Sequence, residues 1–266
     1  MKISEYVKGK KSFGDYIRRR LKPDSAEELF YREAEKTRIR LLQEITAVDE
    51  KVTKYEDIVS HIHDLAVCGH ERMYLPFHMA LYMLCKLLDA RAVVETGVGR
   101  GFSSFVILKA LNGRGWLYSL ELDHQIKIAN DRYAPVGFVV GWDYKLNTDN
   151  WKLIYGNSLD TMPKLVDELA QDEVDLFVAG SSHEYHVQKA ELQYATSLVR
   201  DGGIIVCDRP DYNDYLALSE ALNVPHHVIK KASRFQVLVE NNYEVVKIPE
   251  RNVYSSLDFA IVRNVL

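Results

Sequence analysis

From Arg91 onward the chain alternates short β-rich runs with stretches of helical spacing, and this alternation narrows the possible folds more than any other feature. The runs are Ala92–Glu95, Gly115–Glu121, Lys152–Tyr155, Val174–Ala179, Gly203–Cys207, Tyr243–Ile248 and Asp258–Arg263. Helical stretches near 103–111, 124–133, 159–170 and 185–198 separate the first five. Strands joined by helices of that length pair through crossovers, so the pattern predicts βαβ units and a parallel sheet covered by helices on both faces. The last two runs lack a long helix between them and predict an antiparallel hairpin at the sheet edge. The expectation is an α/β domain with seven strands, mostly parallel.

The first third has a different texture. Between Phe13 and about Leu88 the apolar spacing is helical: Ser25-Ala-Glu-Glu28 has capping-box spacing, and Leu29, Ala34, Ile39, Leu42 and Ile45 follow at roughly helical intervals. Further helices are expected over Tyr55–Ala66 and Pro76–Leu88. The chain therefore divides into a helical N-terminal extension, 1–75, and an α/β domain, 76–266. Its 266 residues carry 34 Lys+Arg against 38 Asp+Glu, yet residues 1–22 hold eight basic and two acidic side chains, so an arm of +6 precedes a body of −10. An acidic body argues against nucleic acid as partner. The arm, with Glu5, Asp15 and few serines, reads as an ordered or semi-ordered segment rather than a targeting peptide. Three widely spaced cysteines fit reduced thiols. The most apolar stretch, Tyr74–Val94, is broken by His78, Lys86, Asp89 and Arg91 and is no membrane span. A soluble, cytoplasmic protein is expected.

The strongest local motif is Glu95-Thr96-Gly97-Val98-Gly99-Arg100-Gly101-Phe102-Ser103-Ser104, directly after the first strand and opening a helix. Glycines there let a ligand approach the backbone, and the helix start offers unpaired N–H groups. A dinucleotide fingerprint wants a small residue where Phe102 stands, which argues against a pyrophosphate ligand. Glu95 can address a cationic group directly or through water. Glu121 ends the second strand, where a carboxylate accepts from both ribose hydroxyls. Two carboxylates and no phosphate-binding lysine suit a ribose-containing, positively charged ligand without phosphate, such as S-adenosylmethionine.

With these residues the chain resembles the class I S-adenosylmethionine-dependent methyltransferases, whose sheet is Rossmann-like. Closer still, it is similar to the bacterial small-molecule O-methyltransferases distantly related to catechol O-methyltransferase. The likeness runs from about Arg91 to Asp214 through an ordered series: ETGVGRGFSS, LYSLELD, PVGFVV followed by WKLIYGNS, DLFVAGSSHEYHVQKAELQ and LVRDGGIIVCDRPDYND. It implies a cofactor site of Glu95, Thr96, Gly97, Gly99, Gly101, Ser103, Glu121 and Leu122, with Asn157 and Ser158 at the adenine edge.

At the catalytic end the resemblance implies roles for His183 as general base and Asp208 as the group that orients it or meets the acceptor. The segment Val178-Ala179-Gly180-Ser181-Ser182 lacks the carboxylate usual in relatives, and Arg209 stands at a usual ligand position. One carboxylate beside a cation makes a poor Mg²⁺ site, so no metal ligands are assigned. Trp142, Tyr185, Arg209 and Tyr212 are candidates to line the pocket of a small-molecule acceptor. The expected reaction is direct methyl transfer, most readily to a hydroxyl oxygen, with the helical extension serving as a lid or as the contact of a homodimer. The alternative is a protein of this fold that binds the cofactor but has lost methyl transfer and serves as a scaffold.

Overall fold

A computed structural model describes residues 26–49, 51–67, 75–129, 132–169, 173–182, 184–207, 212–222, 237–240, 243–251 and 256–264. The basic arm at 1–22 and the capping residue Ser25 lie outside them. Three helices open the described chain: α1 (Ala26–Val48), α2 (Tyr55–Val67) and α3 (Leu75–Leu87). Then follow β1 (Ala92–Thr96), α4 (Phe102–Leu111), β2 (Trp116–Glu121), β3 (Gln125–Ala129), β4 (Arg132–Pro135), β5 (Trp151–Tyr155), α5 (Ser158–Glu168), β6 (Val174–Ala179), α6 (Tyr185–Leu198), β7 (Val199–Cys207), α7 (Tyr212–Leu222), β8 (Val237–Glu240), β9 (Tyr243–Arg251) and β10 (Ser256–Asn264).

The main sheet has the order β5-β2-β1-β6-β7-β10-β9-β8. The first five strands are parallel, and β10, β9 and β8 join antiparallel. Strand residues alternate between two cores. Val93, Leu117, Val178 and Val206 face α1 to α4, whereas Val94, Leu120, Phe177, Ala179 and Cys207 face α5 to α7. Burial on both faces explains why these strands are near-continuous apolar runs. Helix α3 is buried from Leu75 through Cys85, and α1 and α2 contribute Tyr31, Ala34, Leu41, Ile58 and Ile62 to the core that α3 shares with the sheet.

Two sequence expectations need correction. The sheet has eight strands rather than seven, because Val237–Glu240 pairs with β9 and forms the true edge. That run is only four residues long, too short for periodicity to separate it from loop. The stretch 124–133 is also not a helix. Gln125–Ala129 and Arg132–Pro135 make a separate antiparallel ribbon. Ile126 and Ile128 pack on the core while Gln125 and Lys127 are exposed, a period of two that suits a strand.

The chain leaves β1 toward β2 and β5 on one side, then returns to β6 and β7 on the other. Open α/β sheets bind ligands at the carboxyl end of such a reversal. The glycine motif lies there.

Candidate functional site

The loop after β1 is shaped by backbone geometry. Gly97, Gly99 and Gly101 all have positive φ, a conformation costly for residues with a Cβ. At Gly97 a Cβ would press on the carbonyl oxygen of Gly180 and come within 2.6 Å of Gly180 C and 2.7 Å of Ser181 Cα, so this glycine lets the loop lie against the end of β6. At Gly99 nothing stands within 4 Å of the same position. One glycine is thus required by packing, and the other opens outward.

Glu121, at the end of β2, fixes the loop. Its Oε2 accepts from the backbone N–H groups of Val98 at 2.9 Å and Gly99 at 2.8 Å, and Oε1 accepts from Leu122 N at 2.8 Å. Leu122 is 71% exposed, an apolar side chain held at the mouth of the loop. Across from it, Asn157 caps α5 by accepting from Leu159 N at 2.9 Å, and Ser158 begins that helix. Glu121, Leu122, Asn157 and Ser158 therefore sit at adjoining strand ends, as β2 and β5 are paired up to Glu121 and Tyr155. His124 and Tyr155, which sequence reasoning missed, add a ring contact at 3.8 Å between centroids. The Tyr155 phenol is pushed above its ordinary range by burial and by the Glu121 charge.

Glu95 lies differently from expectation. Its carboxylate has no exposed surface and turns inward, where Oε2 accepts from Ser104 Oγ at 2.6 Å and Ser119 Oγ at 2.8 Å. Ser103 is buried at the start of the same helix, and Trp151 Nε1 donates to Ser119 Oγ at 2.9 Å. The other oxygen, Oε1, has no hydrogen-bond partner among the described residues. Desolvation raises the Glu95 pKa against the opposing serine hydroxyls. The alternation of β1 explains this: Glu95 shares the face of Val93, toward α4. Its bonds to Ser104 and Ser119 support the loop from beneath.

Thr96 points the opposite way. Its Oγ1 donates to Glu191 Oε2 at 2.8 Å, and its carbonyl accepts from Gly180 N at 2.9 Å. Glu191, on α6, is fully buried and also accepts from Ser181 Oγ at 2.5 Å. Sequence reasoning missed Glu191 and Ser181. The available signal was a carboxylate in the buried stripe Gln188, Glu191, Leu192, Ala195 and Leu198.

Of the acceptor-side candidates, His183, Asp208 and Arg209 lie outside the described residues. Tyr212 begins α7, but its side chain also lies outside the description. Tyr185 donates its hydroxyl to Glu220 at 2.6 Å, tying α6 to α7, and Lys189 pairs with the same carboxylate. Trp142 packs against Tyr31 and Phe138, with centroids at 6.2 and 5.0 Å, in an aromatic cluster between α1 and the segment after β4. Phe30 of that cluster lies under the guanidinium of Arg100, 4.2 Å from ring to cation, so α1 touches the glycine loop itself. Among the described residues no group of three or more metal-ligand side chains occurs.

Comparison with known proteins agrees with this arrangement. A family profile described as a methyltransferase domain matches residues 94–209, from the middle of β1 to just past β7. Over residues 94–209 the chain is similar to that methyltransferase-domain family. A Mycolicibacterium vanbaalenii protein whose name assigns it provisionally to the O-methyltransferases is 30% identical over 131 residues, 48% of this chain and 51% of that one. The chain thus spans about half the length of that relative. A catechol O-methyltransferase of Niastella koreensis is 26% identical over 166 residues, 62% of this chain and 68% of that protein. The O-methyltransferase TomG of Streptomyces achromogenes, solved in complex with SAM, superposes with a TM-score of 0.52 at 18% identity, covering 84% of this chain and 95% of that one. The matched region begins within β1 and takes in the glycine loop, the Glu121 carboxylate and the Thr96–Glu191–Ser181 cluster.

Proposed function

We propose that the chain is an S-adenosylmethionine-dependent methyltransferase acting on a hydroxyl of a small molecule. The observation that carries this is Glu121 holding Val98 and Gly99 beside the exposed Leu122. Ribose hydroxyls can donate to that carboxylate, an adenine can lie on Leu122 with Asn157 and Ser158 at its edge, and the open side of Gly99 admits the ligand chain. Thr96, Gly97 and Gly101 shape the loop, while Glu95 and Ser103 support it from below. The residues present fit the cofactor, which when bound supplies a methyl group on a sulfonium centre.

In this reading His183 takes the proton from the acceptor hydroxyl, Asp208 orients the imidazole or meets the acceptor, and Arg209 and Tyr212 contribute to acceptor binding. Displacement in line then depends on positioning more than on further chemistry. The helical extension covers the donor loop through Phe30 and Arg100. No metal is assigned: Ala179-Gly180 offers no carboxylate, and both oxygens of the nearby Glu191 accept from hydroxyls. The chain acts as a soluble, cytoplasmic protein on a small molecule, without nucleic acid or membrane, and self-association through the extension is part of the same reading.

Calorimetry with S-adenosylmethionine tests the donor half, with Glu121→Ala expected to abolish binding. Transfer of a labelled methyl group to catechol, with Mg²⁺ and with chelator, tests the rest. Loss of transfer in His183→Ala with binding retained supports the base, whereas unchanged transfer overturns it. Binding without transfer to any of a panel of hydroxylated aromatics points to a scaffold of this fold. Absence of binding refutes the whole reading.

A further inference from the structure

Glu191 is an anomaly in its own helix. Four neighbours on the buried stripe of α6 are Gln188, Leu192, Ala195 and Leu198, facing an apolar core. A carboxylate there is costly unless hydrogen-bonded, and its bonds are charge-assisted and strong. Both oxygens are used. Oε2 accepts from Thr96 Oγ1 at the end of β1, and Oε1 accepts from Ser181 Oγ just past the end of β6.

The two sides so joined are not equally secured. The glycine loop has independent ties: Glu121 accepts from Val98 and Gly99, Gly97 N donates to Leu120 O at 2.8 Å, and Gly97 lies against Gly180. On the other side, Ser181 is exposed and opens the segment that runs to α6. Its hydroxyl bond to Glu191 is the side-chain tie between that segment and the body among the described residues. Ser182 Oγ only accepts from Glu184 N within the segment, at 3.1 Å. Ser181 stands two residues before His183 in the sequence.

We infer that Glu191 is a positioning residue for the acceptor side. It anchors Ser181, where the chain leaves β6 toward α6, to the strand ends, while the donor loop is held without it. This rests on the methyl-transfer reading above. Loss of the anchor should therefore misplace the acceptor-side groups and lower kcat, leaving the cofactor site nearly intact.

The test uses the full chain as Glu191→Gln, which keeps the volume but cannot accept from both hydroxyls through carboxylate oxygens, and as Ser181→Ala at an exposed position where folding is not at stake. Three readouts are taken: calorimetry with S-adenosylhomocysteine, amide hydrogen exchange, and methyl transfer to catechol. In both variants the affinity for S-adenosylhomocysteine should stay within about threefold. Amides 181–187 should exchange about tenfold faster, with 97–101 unchanged. The kcat with catechol should fall by about 10- to 100-fold at constant KM for the donor. Unchanged exchange over 181–187, or loosening of 97–101 and loss of cofactor affinity to the same degree, would overturn the inference. If the wild type fails to bind S-adenosylhomocysteine the methyl-transfer reading falls, and the exchange pattern alone decides whether Glu191 anchors the segment. If it binds but does not turn over catechol, exchange and affinity decide together.

Discussion

Replacing Gly97 and Gly99 by alanine in separate variants should divide what the glycine loop owes to packing from what it owes to its ligand. Both residues have positive φ, 81° and 51°, so a Cβ costs about 1–2 kcal/mol in each from backbone strain. At Gly97 the methyl would also strike the backbone of Gly180 and Ser181, with atoms at 2.6 and 2.7 Å that lie just past the end of β6 and, being backbone, cannot rotate aside. Overpacking of that kind adds about 1–3 kcal/mol. Gly97→Ala is therefore expected to lose about 2–5 kcal/mol, a large part of the roughly 5–15 kcal/mol that holds a domain together. Gly99→Ala meets no atom within 4 Å and should lose only the strain, about 1–2 kcal/mol. Its Cβ enters the open side, so affinity for S-adenosylmethionine should drop at least tenfold by calorimetry while the urea midpoint moves little. Equal destabilisation of the two variants would refute the packing argument. Wild-type affinity in Gly99→Ala would refute the assignment of the open side to the ligand.

Three further outcomes follow from buried groups. Burial raises the Glu95 pKa above the ordinary 4.5, so over the window that begins there the folded chain keeps a proton that the unfolded chain releases. Stability therefore falls as pH rises through that window, and Glu95→Gln should flatten the slope of urea midpoint against pH between about 5 and 8; parallel slopes for the two proteins would contradict this. Gln188 is wholly buried with neither amide atom partnered among the described residues, so Gln188→Leu should hold or gain about 1 kcal/mol in urea denaturation, and a loss of that size would show a partner. Phe30→Ala removes a half-buried ring from Phe138 and Arg100 and should cost about 2 kcal/mol; Phe30→Leu should recover all but about 0.5–1 kcal/mol, the share of the ring–cation contact, and complete recovery would leave that contact no weight.

The central strands were legible because their environment is uniform. Val174–Ala179 is buried at every position, and a run of that kind between turns has few other uses. The same rule fails where burial is one-sided or the element is short. Ile126 and Ile128 are spaced as a strand would space them, but the flanking helix-length gap between β2 and β5 invited a crossover helix. At 237–240 only four residues pair, and what makes them a strand is the neighbouring β9, not their own pattern.

The site was legible to the same degree and for a related reason. Gly97, Gly99 and Glu121 are contiguous with the strands that carry them, so sequence position nearly fixes their place at the carboxyl end of the sheet. Side-chain direction is not fixed in that way: one step along β1 separates Glu95, enclosed by Ser104 and Ser119 beneath the loop, from Thr96, which reaches α6. A carboxylate two residues before the glycine reads as a ligand contact only until the period-two alternation is followed through the buried Val93 and Val94. Glu191 shows the converse. It lies 95 residues from Thr96, and nothing local distinguishes it from a helix surface acid except that its neighbours at helical spacing are apolar. An acid in the wrong stripe of a crossover helix therefore says more about the strand ends it must reach than about the helix it belongs to.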